Sequence, residues 1–338
     1  MLDFVTLAVK TQLNVHDLNN EAVAGNVTDI RIIEFLNENG ERREAPAVSG
    51  RMLKHWHYEG IRHLIVKGSY SSVPLCAGCK TGEPMRPGIA SGGKLAQINP
   101  QRLEEERNFI TNCAICDIHG YLIALEGKTE QAQSEPEEGT KSKGKKKGVP
   151  IRRTSRAMFS WLMPVLGSES AQKQVLHTRV SRQQEIAEGE SPAQMIFNKS
   201  YASGIYAFVS ALDIKRIGAV ELLLGSDQEY AVDQTQRKQR ATIAIESYRL
   251  MISGQIGASL SHALPHQNPR AILVAYSENG PLPFPVSPMY PDYLNRTVGL
   301  FPKNAKFLYW GEENKLPENV KPVKTIDNIF VELISKLT

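Results

Sequence analysis

The chain has 338 residues, of which 41% are hydrophobic and 22% charged, with a formal net charge of +4. These values are typical of a soluble globular protein with one large or two ordinary domains, and the small net charge means that any surface for nucleic acid is local. No apolar run approaches the roughly 18 residues of a membrane span and no signal peptide is recognisable, so we expect a cytoplasmic protein.

The N-terminal third predicts two strands that precede a helix. Apolar residues over 2–13 predict the first strand, and a polar turn-forming loop follows at 14–20. Residues 27–36 predict a second strand, and the sequence Asn-Glu-Asn-Gly at 37–40 predicts a hairpin turn.

The stretch PAVSGRMLKHWH, at residues 46–57, predicts the start of a helix that runs from about 50 to 66. Ser49 is a typical N-cap, and Gly50 would let a ligand approach the backbone. At 3.6 residues per turn, one face of this helix is basic and polar. That face comprises Arg51, Lys54, His55, Tyr58 and Arg62. A helix N-terminus beside cations is a typical phosphate site. Spacing alone leaves open an ordinary amphipathic helix with a solvated charged face.

The four cysteines form two C-x-x-C pairs, Cys76 with Cys79 and Cys113 with Cys116. Two such pairs in a reducing compartment indicate a structural zinc site with four thiolate ligands. They predict a zinc-bearing insertion over residues 68–116, with one helix near 100–109. Four buried reduced thiols are the alternative, and a redox role would need only one pair.

The rest of the chain alternates apolar segments with charged or polar ones. Residues 117–125 predict a return to a core strand, and the acidic and then basic run at 127–148 predicts disorder. The lysines of that run are either a solvated loop or a flexible arm that contacts phosphates. The remaining predicted elements are strands at 201–213, 271–277 and 307–310, and helices at 237–255 and 326–337.

The order of these elements is strand, helix, strand, strand, helix, strand, with insertions. It predicts an α+β fold built on a ferredoxin-like antiparallel sheet, as in RNA-recognition (RRM-like) domains. No repeat of about 20–50 residues is present, so a solenoid is excluded.

Five stretches, in this chain order, resemble the DevR family, the guide-RNA-binding backbone subunits of CRISPR Cascade complexes within the RAMP superfamily. The similarity is greatest to the type I-A form. The stretches are LNVHDLN (13–19), PAVSGRMLKHWH (46–57), DIHGYL (117–122), QMIFNKSYASGIYAF (194–208) and RKQRATIAIESYRLMISGQIGASLSHALP (237–265).

The resemblance implies a palm of residues 1–67, 117–167 and 201–338 and a thumb at 168–200. The zinc-knuckle insertion at 68–116 would then be the fingers, and the charged run at 127–148 a disordered loop within the palm. It implies sequence-independent RNA binding without enzymatic activity. The implied RNA-binding residues are Asn14, His16, Asn19, Ser49, Gly50, Arg51, Lys54, His55, Arg152 and Arg153. His119 matches the family's D-x-H-G motif and is interpreted as a palm residue, not a zinc ligand. Met195, Ile196 or Phe197 would wedge between bases, unless Ile196 and Phe197 only anchor the thumb to the core.

The implied partners are guide RNA, target DNA that pairs with the guide, further copies of the chain in a helical filament, and other Cascade subunits. A runner-up hypothesis is RNA cleavage, as in type III relatives, with Asp17 beside His16 and a bound metal. A zinc-ribbon DNA-binding regulator is a third possibility, although no helix-turn-helix is recognisable.

Overall fold

The computed structural model describes residues 1–15, 21–24, 27–82, 102–123, 151–167, 173–180, 194–227, 229–255 and 267–337. In these residues the strands are β1 (Phe4–Asn14), β2 (Glu21–Ala24), β3 (Val27–Ile30), β4 (Ile32–Leu36), β5 (Arg42–Pro46), β6 (Tyr121–Ile123), β7 (Ile151–Arg153), β8 (Ala157–Phe159), β9 (Met163–Pro164), β10 (Lys173–Val180), β11 (Gln194–Tyr201), β12 (Ser203–Asp213), β13 (Gln267–Ser277), β14 (Lys306–Gly311) and β15 (Val320–Pro322). The helices are α1 (Gly50–Val66), α2 (Ala77–Thr81), α3 (Arg102–Asn112), α4 (Ala114–His119), α5 (Gln234–Ile252), α6 (Tyr293–Leu300) and α7 (Ile326–Ser335). No helix in these ranges is long and apolar enough to cross a membrane.

The main sheet has the strand order β15-β14-β13-β1-β12-β8, and β9 also pairs with β12. Its central strand β1 is antiparallel to both β12 and β13. Along β1, Val5, Leu7 and Val9 face one apolar cluster, whereas Phe4 and Ala8 face another. The main sheet is therefore buried on both faces, and β1 is buried from Phe4 to Val9, where Thr6 is the one polar residue.

Helices α1 and α5 cover one face of the main sheet and cross where Gly60 meets Ser247. A Cβ at Gly60 would lie 2.2 Å from the Ser247 hydroxyl oxygen, which itself donates to the carbonyl of His57 at 2.6 Å. Only glycine admits this approach without displacing Ser247. The other face of the main sheet is covered by α6 and the proline-rich segment before it, through Leu282, Tyr293 and Leu294. The described fold is thus a mixed α+β architecture around one antiparallel-rich sheet.

The second predicted strand, residues 27–36, is two strands in different sheets. β3 joins β2 and β11 in a four-stranded sheet of order β10-β11-β3-β2, whereas β4 forms a separate hairpin with β5. The chain changes sheet at Arg31, whose carbonyl accepts a hydrogen bond from the Ala47 amide at 3.0 Å. The turn at 37–40 is confirmed, since Asn37 Oδ1 accepts from the amides of Asn39 and Glu41.

The core strand predicted over 117–125 is wrong. Residues Ala114–His119 form α4, because Cys113 caps this helix and accepts the Asp117 amide at its carbonyl. The short strand β6 that follows pairs only with β7, outside the main sheet. The charged run at 127–148 lies outside the described residues.

The remaining predicted elements are confirmed with shifts of a few residues at their ends. Helix α5 begins at Gln234 and ends at Ile252, and its buried residues include Ile243, Ile245 and Ile252. The segment predicted as a thumb contains an antiparallel hairpin of β10 and β11. The C-terminal strand and helix appear as β14 and α7.

Candidate nucleic-acid interface and cysteine cluster

Helix α1 begins at the predicted residue with the predicted cap. Ser49 has extended backbone angles, and its hydroxyl accepts the Met52 amide at 3.3 Å. The residue before it, Val48, exchanges two backbone hydrogen bonds with Leu162. The first-turn amides of Gly50 and Arg51 have no acceptor among the described residues, so they are available to an anion.

Gly50 is needed for packing at the start of α1, and the approach of a ligand to its backbone stays a prediction. A Cβ at this position would lie 2.6 Å from the carbonyl oxygen of Phe159 and 2.8 Å from that of Ser160. These are backbone atoms that cannot swing aside. The start of α1 is therefore pressed against the segment that follows β8.

The basic face of α1 is exposed only near its N-terminus. Arg51 and His55 are exposed. Lys54 is partly buried, and its Nζ donates to the carbonyl of His119 at 2.8 Å. Burial lowers the pKa of the Lys54 ammonium. Its charge is partly committed within the protein, whereas Arg51 at the helix start is exposed and has no ion-pair partner among the described residues.

The C-terminal half of the same face is covered by the first cysteine knuckle. Tyr58 is buried, and its hydroxyl donates to the Cys79 carbonyl at 3.1 Å. Arg62 donates through Nε to the Lys80 carbonyl at 3.0 Å and through Nη1 to Glu59. A tertiary contact thus buries residues that the helical period alone placed in solvent.

The other predicted RNA-binding residues are those of the first loop, at 14–19, and the pair Arg152 and Arg153. Asn14 is half-buried at the end of β1, and its Oδ1 accepts from the Ser203 hydroxyl at 2.7 Å. His16, Asp17 and Asn19 lie outside the described residues. Arg152 is exposed on β7, whereas the neighbouring Arg153 is buried and cannot reach a phosphate, so Arg153 is withdrawn from the candidate set.

Arg153 belongs to a buried cluster of four charges that sequence reasoning missed. Asp117 accepts from the guanidiniums of both Arg153 and Arg240, and it also accepts the Gly218 amide at 3.0 Å. Arg153 pairs with Glu106 at 2.9 Å as well. We call Glu106, Asp117, Arg153 and Arg240 the Asp117 cluster. The cluster balances two positive and two negative charges, as buried charges require.

The Asp117 cluster joins four elements of the fold. Glu106 is on α3, Asp117 on α4, Arg153 on β7 and Arg240 on α5. Arg240 also donates to the carbonyls of Ile110 and Thr111 at the end of α3. The cluster therefore fixes the cysteine-bearing segment to the main body, and the aspartate of the D-x-H-G stretch has a structural role.

The histidine of that stretch lies in a buried pair. His119 Nε2 is 2.9 Å from His57 Nδ1, and His57 Nε2 donates to the Ala244 carbonyl at 2.9 Å. Because that carbonyl only accepts, neutral His57 must accept the His119 proton at Nδ1. Burial lowers the pKa of His57 to about 4, and burial also holds the pKa of His119 well below its usual value. Both rings are neutral at pH 7.

The four cysteines converge as predicted. Their Sγ atoms all lie within 4.8 Å of one another, with Cys116 4.0 Å from Cys76 and 3.9 Å from Cys79. These distances are too long for a disulfide. A tetrahedron of thiolates with metal–sulfur bonds of about 2.3 Å places its sulfurs roughly 3.8 Å apart. The cluster therefore has donor atoms and spacing that could bind a metal ion.

His57, Tyr58 and Glu59 have the H-x-E spacing found in zinc deaminases, which also carry a C-x-x-C pair. Both His57 ring nitrogens have other partners, and Glu59 pairs with Arg62 at 2.8 Å. The metal-ligand group found in the described residues consists of cysteines alone. The geometry therefore argues against a deaminase site.

A family model described as "CRISPR-associated negative auto-regulator DevR/Csa2" matches residues 7–298. The chain belongs to the DevR/Csa2 family. Among its relatives, a "CRISPR-associated protein Cas7/Cst2/DevR" of Methanocaldococcus jannaschii is 28% identical over 99% of this chain and 100% of the relative. A "CRISPR-associated aCascade subunit Cas7/Csa2 2" of Saccharolobus solfataricus is 24% identical over 96% of this chain and 98% of the relative.

Solved structures share the fold of this DevR/Csa2 chain. A chain of a "CRISPR RNA-guided surveillance complex, pre-nicking" aligns with a TM-score of 0.55, 10% identity, and coverage of 99% of this chain and 100% of that chain. A chain of a "CRISPR RNA-guided surveillance complex" aligns with a TM-score of 0.50 and the same identity and coverage. The family predicted from the five sequence stretches is confirmed.

Proposed function

We propose that this chain binds CRISPR guide RNA without sequence preference. Several copies would polymerise along the RNA as the backbone of a Cascade complex and present the guide for pairing to target DNA. The observation that carries the proposal is the exposed Arg51 at the start of α1, beside two amides that have no acceptor among the described residues, in a chain whose family match spans residues 7–298. The relatives' names support the Cascade assignment. Such a complex would work in the cytoplasm with other Cascade subunits.

The chemistry of α1 suits a backbone contact. Amides and a guanidinium bind phosphate oxygens, which are the same for every nucleotide, and a guide must keep its base edges free to pair. We assign Arg51, His55 and the first-turn amides to this role, and we keep Arg152 and Asn14 as additional candidate contacts. His16 and Asn19 stay predictions from the family motif. Ser49 contributes by capping α1, and Lys54 contributes in part by its hydrogen bond to the His119 carbonyl.

We assign the strand-helix repeat β1-α1-β8-β12-α5-β13 to a ferredoxin-like palm. Its strands have the spatial order β13-β1-β12-β8, and both helices lie on one face of the sheet, which supports the assignment. The cysteine-bearing segment would be the fingers and the β10–β11 hairpin the thumb. A head-to-tail contact through the thumb would generate an open helical filament.

Replacement of Arg51 tests the RNA-binding proposal. Arg51→Ala should weaken two unrelated guide sequences by the same factor and should lower the slope of log affinity against log salt by about 0.7, the value for one phosphate on a single strand. Arg296→Ala is the control, because Arg296 is also exposed and sits on α6. Unchanged affinity and slope in Arg51→Ala, or a loss confined to one guide, would contradict the proposal.

We propose that the chain has no nuclease activity. The alternative is cleavage through Asp17, and incubation of end-labelled RNA with the protein and Mg²⁺ separates the two. The expected result is intact RNA. Fragments that disappear in Asp17→Asn would establish the alternative.

We propose that the cysteine cluster holds structural zinc, since four thiolates at tetrahedral spacing match its preferred ligand set. Metal analysis of purified protein should find about one zinc per chain. Four freely titrating thiols with no metal would refute the site.

A further inference from the structure

Trp161 is a large aromatic side chain that the fold leaves uncovered. Its exposed fraction is 39%, whereas that of Trp56 is 7%. The Trp161 indole has no hydrogen-bond or ring partner in the part of the chain that the structure describes. Singly exposed apolar residues are common, so exposure alone says little. The position and rigidity of this residue carry the argument.

The backbone on both sides of Trp161 is fixed. The Ser160 amide donates to the Val209 carbonyl at 2.9 Å, and Leu162 exchanges hydrogen bonds with Val48. Leu162 is buried in the core beside α1. Leu162 is 1% exposed and Trp161 is 39% exposed, so the two neighbouring side chains differ in environment, with Leu162 in the core and Trp161 at the surface. The ring is therefore presented to solvent from an ordered support.

The same support adjoins the start of α1. The Ser160 carbonyl lies so close to Gly50 that a Cβ there would be 2.8 Å from it, and Val48 pairs with Leu162. Trp161 follows Ser160 and Arg51 follows Gly50, so both residues are next to the contact between Gly50 and the Ser160 carbonyl. A cation beside an exposed aromatic ring is the combination that single-stranded nucleic acid recognises, because phosphates bind the cation and bases stack on the ring.

We propose that Trp161 is a stacking platform for one unpaired base of the bound RNA, next to the phosphate held by Arg51. The inference rests on the proposed function and adds a base contact to it. Every base has a π-face, so stacking keeps the site tolerant of sequence.

The test compares ligands with and without bases. The full chain is titrated with oligo(U) and oligo(A) RNA and with inorganic polyphosphate at one salt concentration. Trp161→Leu keeps an apolar side chain and removes the aromatic face, and stacking of about 1–3 kcal/mol predicts a roughly 5- to 150-fold loss of affinity for both RNAs. Polyphosphate affinity should be unchanged. Trp161→Phe should retain most of the RNA affinity. Trp310→Phe, at a half-buried tryptophan, is the matched control.

Intrinsic fluorescence supplies a second readout. RNA should quench the wild-type emission, and the quenched component should be absent in Trp161→Phe and retained in Trp310→Phe. Equal RNA affinity of wild type and Trp161→Leu, or an equal loss for RNA and polyphosphate, would overturn this inference alone. Failure of the wild type to bind RNA at all would overturn the proposed function with it.

Discussion

The Asp117 cluster predicts that one isosteric substitution, Asp117→Asn, strongly destabilises the fold. The carboxylate neutralises two buried guanidiniums, and its side chain and those of Arg153 and Arg240 are fully buried. An asparagine keeps the volume but removes the negative charge. Arg153 would retain Glu106, whereas Arg240 would retain only the carbonyls of Ile110 and Thr111. Breaking a buried pair in this way costs about 3–5 kcal/mol.

Thermal unfolding followed by circular dichroism measures this cost. At about 2.1 cal/mol/K per residue, unfolding of 338 residues has an entropy near 0.7 kcal/mol/K, so the loss corresponds to a fall in Tm of roughly 4–7 °C. Asp292→Asn is the matched control, because its partner Arg296 is exposed and such pairs contribute about 0–1 kcal/mol. Equal shifts for the two variants would refute the role given to the buried charges.

Three further predictions concern other parts of the structure. Gly50→Ala should lower Tm despite the better helix propensity of alanine, because its Cβ meets two backbone carbonyls; an unchanged Tm would contradict the packing. Stability should fall on acidification, because unfolded His57 has a pKa near 6.5 and folded His57 one of about 4. The loss of stability begins below about pH 6.5, grows towards pH 4, and reaches roughly 1.4 kcal/mol by pH 5.5 from His57 alone. His119 and Tyr248 contact the His57 ring, and the nearby Lys54 ammonium also disfavours its charged form. Urea midpoints that do not change between pH 7.5 and 5.5 would exclude this effect. Cys113→Ser should lower bound zinc measured by plasma emission, and equal zinc in variant and wild type would remove Cys113 from the ligands.

Sequence reasoning succeeded where the signal is local. The bounds of α1 follow from its cap at Ser49 and its period, and the turn after β4 follows from Asn37 and Gly40. The approach of the cysteines follows from their paired spacing. In each case a few neighbouring residues carry the whole physical cause.

Sequence reasoning failed where a distant segment of the chain determines the environment of a side chain. Tyr58 is buried because the first cysteine knuckle packs on it, and Lys54 is partly buried because its ammonium meets the His119 carbonyl. Arg153 looked like a cation for RNA until Asp117, 36 residues earlier, placed it in the core. The period of a helix or strand gives the direction of a side chain but not what lies in that direction.

The position of β1 at the centre of the main sheet has a consequence for synthesis of the chain. Thr6 pairs with Ala211 and Ala275, partners about 200 and 270 residues later. At about 5–20 residues per second, a ribosome needs on the order of 10–50 s to complete those partners. Until β12 has been synthesised, β1 has neither of its neighbouring strands to pair with, and its second neighbour, β13, follows only in the last third of the chain.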